Sequence, residues 1–302
     1  MIKLLTIFVL TLCAAEALYA ISPLAGTSHA IYAVGNNAPS APFSFVQLSD
    51  VHIGWMAATK EVELSDPRAT DNSYFKKAID MVHRLGVDFV FFSGDMVSFP
   101  THQPVLDAWN DAIRELRVPY CFAEGNHDTD LDPQSLARYR KDWGMDYYRF
   151  VYNNTLFITF NSNPTQPQRN EPGYERFQRI WLSNQLKQGK KGGYDHIFVL
   201  THIPIVRNAL DEKYDRYNFP PELRKPYMDM IEDAGADYVL AGHYHVKSEF
   251  YHGGTCYAVC PSIRDPRFGE RVGFRVFRVY PDRIETEMVY MDEADKIKPV
   301  KL

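Results

Sequence analysis

Residues 88–92 form a short apolar run with no alternation of polar and apolar positions, and residues 196–200 read the same way. A strand that is apolar on both sides must be covered on both sides, so it belongs in a layered structure and not in a sheet with one wet face. Strand-like runs at 43–48, 118–123 and 237–241 repeat the signal, and helical segments separate them. Residues 73–85 predict a helix, with Asn72 or Ser73 as its cap and Gly86 as its stop. Helices are also expected over 104–117, opened by Pro104, over 133–141, capped by Asp132, and over 174–188 and 220–234. Residues 147–160 read as a hairpin turning at Asn153-Asn154, and short alternating strands dominate from Lys247 onward. Strands interleaved with helices and then hairpins give an α/β architecture with mixed sheets, in one domain over residues 43–302. Two long polar loops, 161–173 and 203–218, interrupt it, and loops of that length in a compact domain are often functional.

The first residues do not join this pattern. Lys3 precedes an apolar run over residues 4–15, followed by small residues at Ala15, Ala17 and Ala20. This is the layout of a secretory signal peptide over 1–20, with cleavage after Ala17 or Ala20. It implies a secreted or periplasmic protein with no stable transmembrane segment once the signal is removed. Residues 21–42, rich in Ser, Pro, Ala, Gly and Asn, read as a linker or lead-in. Outside the signal, Cys121, Cys256 and Cys260 remain. Four strand steps separate Cys256 from Cys260 by about 13 Å, too far for a disulfide. Cys121 pairs with one of them, or all three are buried thiols. A net charge of −5 offers no positive field for long nucleic acid, so a small ligand is expected.

The chemistry gathers just after the strands. The runs end in Ser49-Asp50-Val51-His52, Ser93-Gly94-Asp95, Glu124-Gly125-Asn126-His127-Asp128, Thr201-His202 and Ala241-Gly242-His243-Tyr244-His245. Ligand sites in α/β folds form at the carboxyl ends of strands. Any one such Asp or His is commonly a cap or a surface group; five junctions carrying them together point to one site. Carboxylates, imidazoles and a carboxamide suit divalent ions of the Mn, Fe or Zn kind, and no Cys takes part. The glycines before Asp95, Asn126 and His243 permit sharp turns or close backbone approach. His83, His102, His196 and His252 lack this context and read as ordinary surface or core residues.

Asp50-x-His52, Gly94-Asp95, Gly125-Asn126-His127-Asp128, His202 and Gly242-His243-x-His245, in that order, resemble the calcineurin-like metallophosphoesterase superfamily over residues 45–245. The resemblance implies a four-layer α/β/β/α sandwich with a dinuclear metal site at its strand ends. It implies two divalent or trivalent ions. Asp50, His52, Asp95 and His245 hold one; Asp95, Asn126, His202 and His243 hold the other, with Asp95 bridging. His127 matches the substrate-facing histidine and is the candidate general acid, with Asp128 either orienting it or capping the following turn. The chain looks closest to the cyclic-nucleotide-phosphodiesterase-like and acid-phosphatase-like branch. It departs from purple acid phosphatases at Ser98, where they place a metal-binding tyrosine.

The implied function is hydrolysis of a small phosphate ester by a metal-activated hydroxide. With no cluster of cations assignable beyond the metals, phosphodiesters are favoured over monoesters. The alternatives are an acid-phosphatase-like phosphomonoesterase and a non-catalytic scaffold of the same fold, although a scaffold should have lost ligands. Trp55, Tyr244 and Arg264 are candidate substrate contacts, each equally readable as structural.

Overall fold

The chain runs β1 (Phe43–Leu48), α1 (Trp55–Ala58), α2 (Ser73–Leu85), β2 (Phe89–Phe92), α3 (Gln103–Ile113), β3 (Tyr120–Phe122), α4 (Ser135–Asp142), β4 (Tyr148–Tyr152), β5 (Thr155–Thr159), α5 (Tyr174–Gly192), β6 (His196–Leu200), α6 (Pro221–Asp233), β7 (Tyr238–His245), β8 (Ser248–His252), β9 (Thr255–Pro261), β10 (Gly273–Tyr280) and β11 (Arg283–Tyr290). The computed structural model describes residues 40–129, 134–169 and 173–302. The expected signal, nearly all of the lead-in and the Asp132 cap lie outside the described residues.

The strands form two sheets, ordered β11-β10-β1-β2-β3 and β4-β5-β6-β7-β9-β8. β1, β2 and β3 are parallel, with β10 antiparallel to β1. β5, β6, β7 and β9 are parallel, with antiparallel β4 and β8 at the edges. Both sheets are therefore mixed. Between them lies an aromatic layer. Phe45 stacks on Phe89 at 5.0 Å and on Phe277 at 4.6 Å, and meets Phe157 and Phe198 edge-on at 5.6 and 5.4 Å. Offset-stacked and edge-on rings fill this space without the strain of face-to-face contact. α2 and α3 cover the outer face of the first sheet, where Phe75, Trp109 and Phe92 pack together. α5 and α6 cover the second through Leu182, Leu186, Tyr227 and Ile231. The result is the expected four layers, and it explains why β2 and β6 carry no polar alternation: each is buried on both faces.

Local signals account for most boundaries. Gly86 ends α2 at φ 68°, its N–H bonded to Val82 O. Asn153 and Asn154 turn the β4–β5 hairpin at φ 42° and 59°, a left-handed pair that Asn tolerates. α3 stops at Ile113, earlier than residue 117, because Glu115 and Leu116 bond back only three residues as the chain tightens toward Pro119. α5 continues to Gly192. β7 runs past Ala241 to His245 through a bulge against β9, so the last histidines stand on a strand and not on the loop after it.

Cys121, Cys256 and Cys260 are buried thiols without a disulfide among the described residues. Burial pushes Cys260 up to about 12, which leaves it unreactive near neutrality. No helix of the described residues is long and apolar enough to cross a membrane.

Candidate metal centre

The parallel strands of both sheets end at one edge of the sandwich, and the loops that leave them converge there. Asp50 and His52 follow β1, Asp95 follows β2, Asn126 and His127 follow β3, His202 follows β6, and His243 and His245 ride the β7 bulge. All seven expected ligand residues meet. Ligand atoms of Asp50, His52, Asp95 and His245 lie within 4.8 Å of one another, as do those of Asp95, His202 and His243. Asp95 is common to both groups. Its Oδ2 is 3.4 Å from His52 Nε2 and 3.3 Å from His202 Nε2. Asp50 Oδ1 is 3.0 Å from His245 Nε2, and Asn126 Oδ1 is 3.1 Å from His202 Nε2.

Convergence requires unusual backbone. Asp50, His52, Asp95, His243 and His245 all have φ between 50° and 64°. For residues other than glycine such conformations cost about 1–3 kcal/mol each and persist only where the surroundings fix them. Here loop-to-loop hydrogen bonds do so: Asp50 N–H to Gly94 O, His52 N–H to Asp95 O and Gly242 N–H to His202 O. Two glycines allow the close approach. A Cβ on Gly125 would lie 2.0 Å from Asp95 N, and one on Gly242 would lie 2.0 Å from Ser49 Oγ.

The donor set fits a metal ion. His202 Nδ1 is 2.7 Å from Ser93 O and His243 Nε2 is 2.9 Å from Arg216 O. A carbonyl only accepts, so each of these nitrogens carries the N–H and the other ring nitrogen turns a lone pair to the cluster. His245 Nδ1 faces Asp265 Oδ2 at 2.7 Å, which fixes its tautomer in the same way. His52 Nδ1 meets Ser98 Oγ at 3.1 Å, so the departure at Ser98 supports a histidine from behind. Lone pairs of imidazoles, carboxylates and a carboxamide then point at one another in a buried space, an arrangement that calls for a cation between them. Protonation responds to the same field. Burial disfavours a charge on His202, but Asp95 and Asp50 lift the imidazole to about 9. At His243 burial and the neighbouring His202 push the imidazole down to about 3.

His127 lies at the edge of this cluster, half-buried, its ring 4.9 Å from that of His52. Its backbone N–H donates to Asp95 Oδ1 at 2.8 Å. Asp128 does not orient its imidazole. The Asp128 carboxylate turns inward and accepts the N–H groups of Asp95, Met96, Val97 and Gly125. It caps the loop that carries Asp95. Asp128→Ala would leave these donors buried and unsatisfied. We expect it to lower stability by about 3 kcal/mol, read from urea unfolding.

A cavity of about 340 Å³ opens above the cluster. Trp55 lines it, as expected, with its ring 4.4 Å from His52. The other two candidates take the structural reading that the sequence also allowed. Tyr244 packs against the Arg207 guanidinium at 4.4 Å, and Arg264 donates to Asp71 O. The sequence reading missed Arg169, Arg216, Tyr217 and Arg267, which also line the cavity. The first three come from the two long loops; Arg267 has no local signal. Arg169 donates to Asn126 O and Thr129 Oγ1, tying the 161–173 loop to the Asn126 loop. His196 and His252 stand apart, held by Tyr280 O and Glu232 respectively.

Residues 43–247 match the family model described as calcineurin-like phosphoesterase. A zebrafish (Danio rerio) protein named serine/threonine-protein phosphatase CPPED1 is 26% identical over 258 residues, covering 81% of this chain and 84% of its own. Among solved structures, a dimetal phosphatase from Danio rerio superposes with a TM-score of 0.63 at 13% identity, over 84% of this chain and 97% of the other. GAP50, the anchor in the inner membrane complex of Plasmodium, gives 0.61 at 16% identity over 84% and 86%. These two likenesses are of fold.

Proposed function

The chain belongs to the calcineurin-like phosphoesterase family and is a metal-dependent phosphoester hydrolase, and on that premise we propose that it hydrolyses phosphomonoesters at a two-ion centre. Asp50, His52, Asp95 and His245 would hold one ion. Asp95, Asn126, His202 and His243 would hold the other. Ions bound there supply an activated water and a counter-charge for the phosphoryl oxygens. The observation that carries this reading is the pair of donor groups sharing Asp95 at the floor of an open cavity. A scaffold reading, which GAP50's fold could suggest, does not account for a complete set of seven converging donors.

The chain's own residues define the rest of the reaction. Asp95 Oδ1 fixes the backbone of His127, whose imidazole stands beside the cluster and lines the cavity. We assign it the proton that a departing alkoxide needs. A preference for diesters rests on a lack of cations, and the guanidinium groups around the cavity remove that ground. Arg267 is paired with Asp265, whereas Arg216 has no carboxylate partner among the described residues and donates to Tyr217 Oη at 2.9 Å. It lies against Tyr217, 5.0 Å from the ring centroid, on the cavity wall. A guanidinium there favours the second negative charge of a monoester. The name of the CPPED1 relative, a serine/threonine-protein phosphatase, agrees.

Comparing p-nitrophenyl phosphate with bis(p-nitrophenyl) phosphate under one metal condition tests the assignment. A monoester advantage of about tenfold or more in kcat/KM is expected, and a diester advantage would overturn it. Arg216 has φ 69°, so Arg216→Asn keeps the backbone conformation while deleting the cation. It should raise KM for the monoester by about 10- to 100-fold and leave that for the diester nearly unchanged.

We also propose export, from the apolar N-terminal run. N-terminal sequencing should find a mature chain beginning after Ala17 or Ala20. Intact Met1 on cytosolic protein would count against export.

A further inference from the structure

Among the four imidazoles of the cluster, His245 alone has a carboxylate behind it among the described residues. Asp265 is not itself among the candidate ligands; it lies 20 residues after His245, and the turn after β9 brings it in. Ser262 Oγ donates to Asp50 O at 2.7 Å and accepts the N–H groups of Arg264 and Asp265, each at 3.0 Å. The turn is thus pinned to the main chain of Asp50. The same Asp265 oxygen that faces His245 Nδ1 also accepts Arg267 Nε at 3.2 Å and lies 3.1 Å from Arg267 Nη2. Arg267 in turn is held between two rings, 5.8 Å from the Trp55 centroid and 5.2 Å from that of Tyr217. Its Nη1 points to His243 O at 3.4 Å.

We propose that Asp265 and Arg267 are a positioning pair that sets metal affinity through His245. Asp265 holds the His245 ring with Nδ1 protonated and Nε2 directed into the cluster, and makes that nitrogen a stronger donor. Arg267 holds Asp265 in place and, packed between Trp55 and Tyr217, fixes the pair against the cavity wall. A carboxylate behind a ligating histidine is worth about 10- to 100-fold in metal affinity in other sites. The proposal rests on the reading of His245 as a metal ligand.

The test is calorimetric titration of chelator-stripped full-length protein with Mn²⁺, together with melting temperatures in chelator and in excess Mn²⁺. Asp265→Ala is expected to weaken one of two binding events by about 10- to 100-fold. Its melting temperature in chelator should stay close to wild type, while the rise on adding Mn²⁺ shrinks. Asp265→Asn, with the same shape, guards against a folding failure and should fall between the two. Arg267→Ala should weaken the same event less, and Arg267→Lys should recover most of that loss, because the charge next to Asp265 returns. Unchanged Mn²⁺ affinity in Asp265→Ala and Asp265→Asn would overturn the proposal. So would an equal loss of melting temperature with and without Mn²⁺, which marks a purely structural role. Wild-type protein that binds no Mn²⁺ would instead overturn the metal-ligand reading, and this inference with it.

Discussion

Asp95→Asn should lower kcat/KM by on the order of 10³-fold, about 4 kcal/mol of transition-state stabilisation, and remove most bound metal. Asp95 is the residue shared by both donor groups, and it is buried. An amide has the same shape but no charge, and only one of its two atoms can accept. The substituted side chain would keep its oxygen on the His127 N–H, where Asp95 Oδ1 now sits at 2.8 Å. Its NH₂ would then face His52 Nε2 and His202 Nε2, from which Asp95 Oδ2 is 3.4 and 3.3 Å distant. Those lone pairs would be satisfied by the amide and not by a cation. The variant keeps the shape of the side chain and should fold, while losing metal and turnover together. Metal analysis of the folded variant checks this. Two tightly held ions with ordinary turnover would refute the role given to Asp95.

His127→Ala should behave differently, because its cost depends on the leaving group. A nitrophenolate is stable as an anion near neutral pH and needs little protonation. An alkoxide, such as a serine or glycerol oxygen, leaves poorly without a proton. General acid catalysis contributes about 10²–10⁴-fold, so the variant should lose about that much on alkyl phosphates and far less on p-nitrophenyl phosphate. Metal content should remain near wild type, since the ring of His127 stands beside the cluster and not within either donor group. His202→Ala, by contrast, should damage both substrates and metal binding. Equal losses on both ester types for His127→Ala would mean that the imidazole binds the phosphoryl group and does not deliver the proton.

The five junctions were legible because strand ends mark themselves: an apolar run stops, a glycine or a polar residue follows, and the next Asp, Asn or His stands out; which seven of those residues are donors came from the family resemblance. Burial on both faces likewise made β2 and β6 readable. Asp128 shows where adjacency misleads. It follows His127 in sequence, yet the turn at Gly125 sends its carboxylate back under Asp95. Asp265 and Arg267 were invisible for a different reason. Their place depends on β9 docking beside β7 and on Ser262 reaching Asp50, which are long-range pairings with no local pattern. The β7 bulge was hidden too, since a strand that carries two left-handed histidines looks in sequence like a strand that has ended. Arg216 and Tyr217 sat in a loop marked as long, but nothing in its composition said which side chains would face the cavity.

We assign phosphomonoester hydrolysis to two ions held by the Asp95-centred donor groups. Turnover of p-nitrophenyl phosphate, measured against metal bound per chain as stripped protein is reloaded, tests it most directly. The expected curve starts near zero in the stripped protein and reaches its plateau at two ions per chain. Full turnover by protein carrying no metal would rule out a metal role for the Asp95-centred donors.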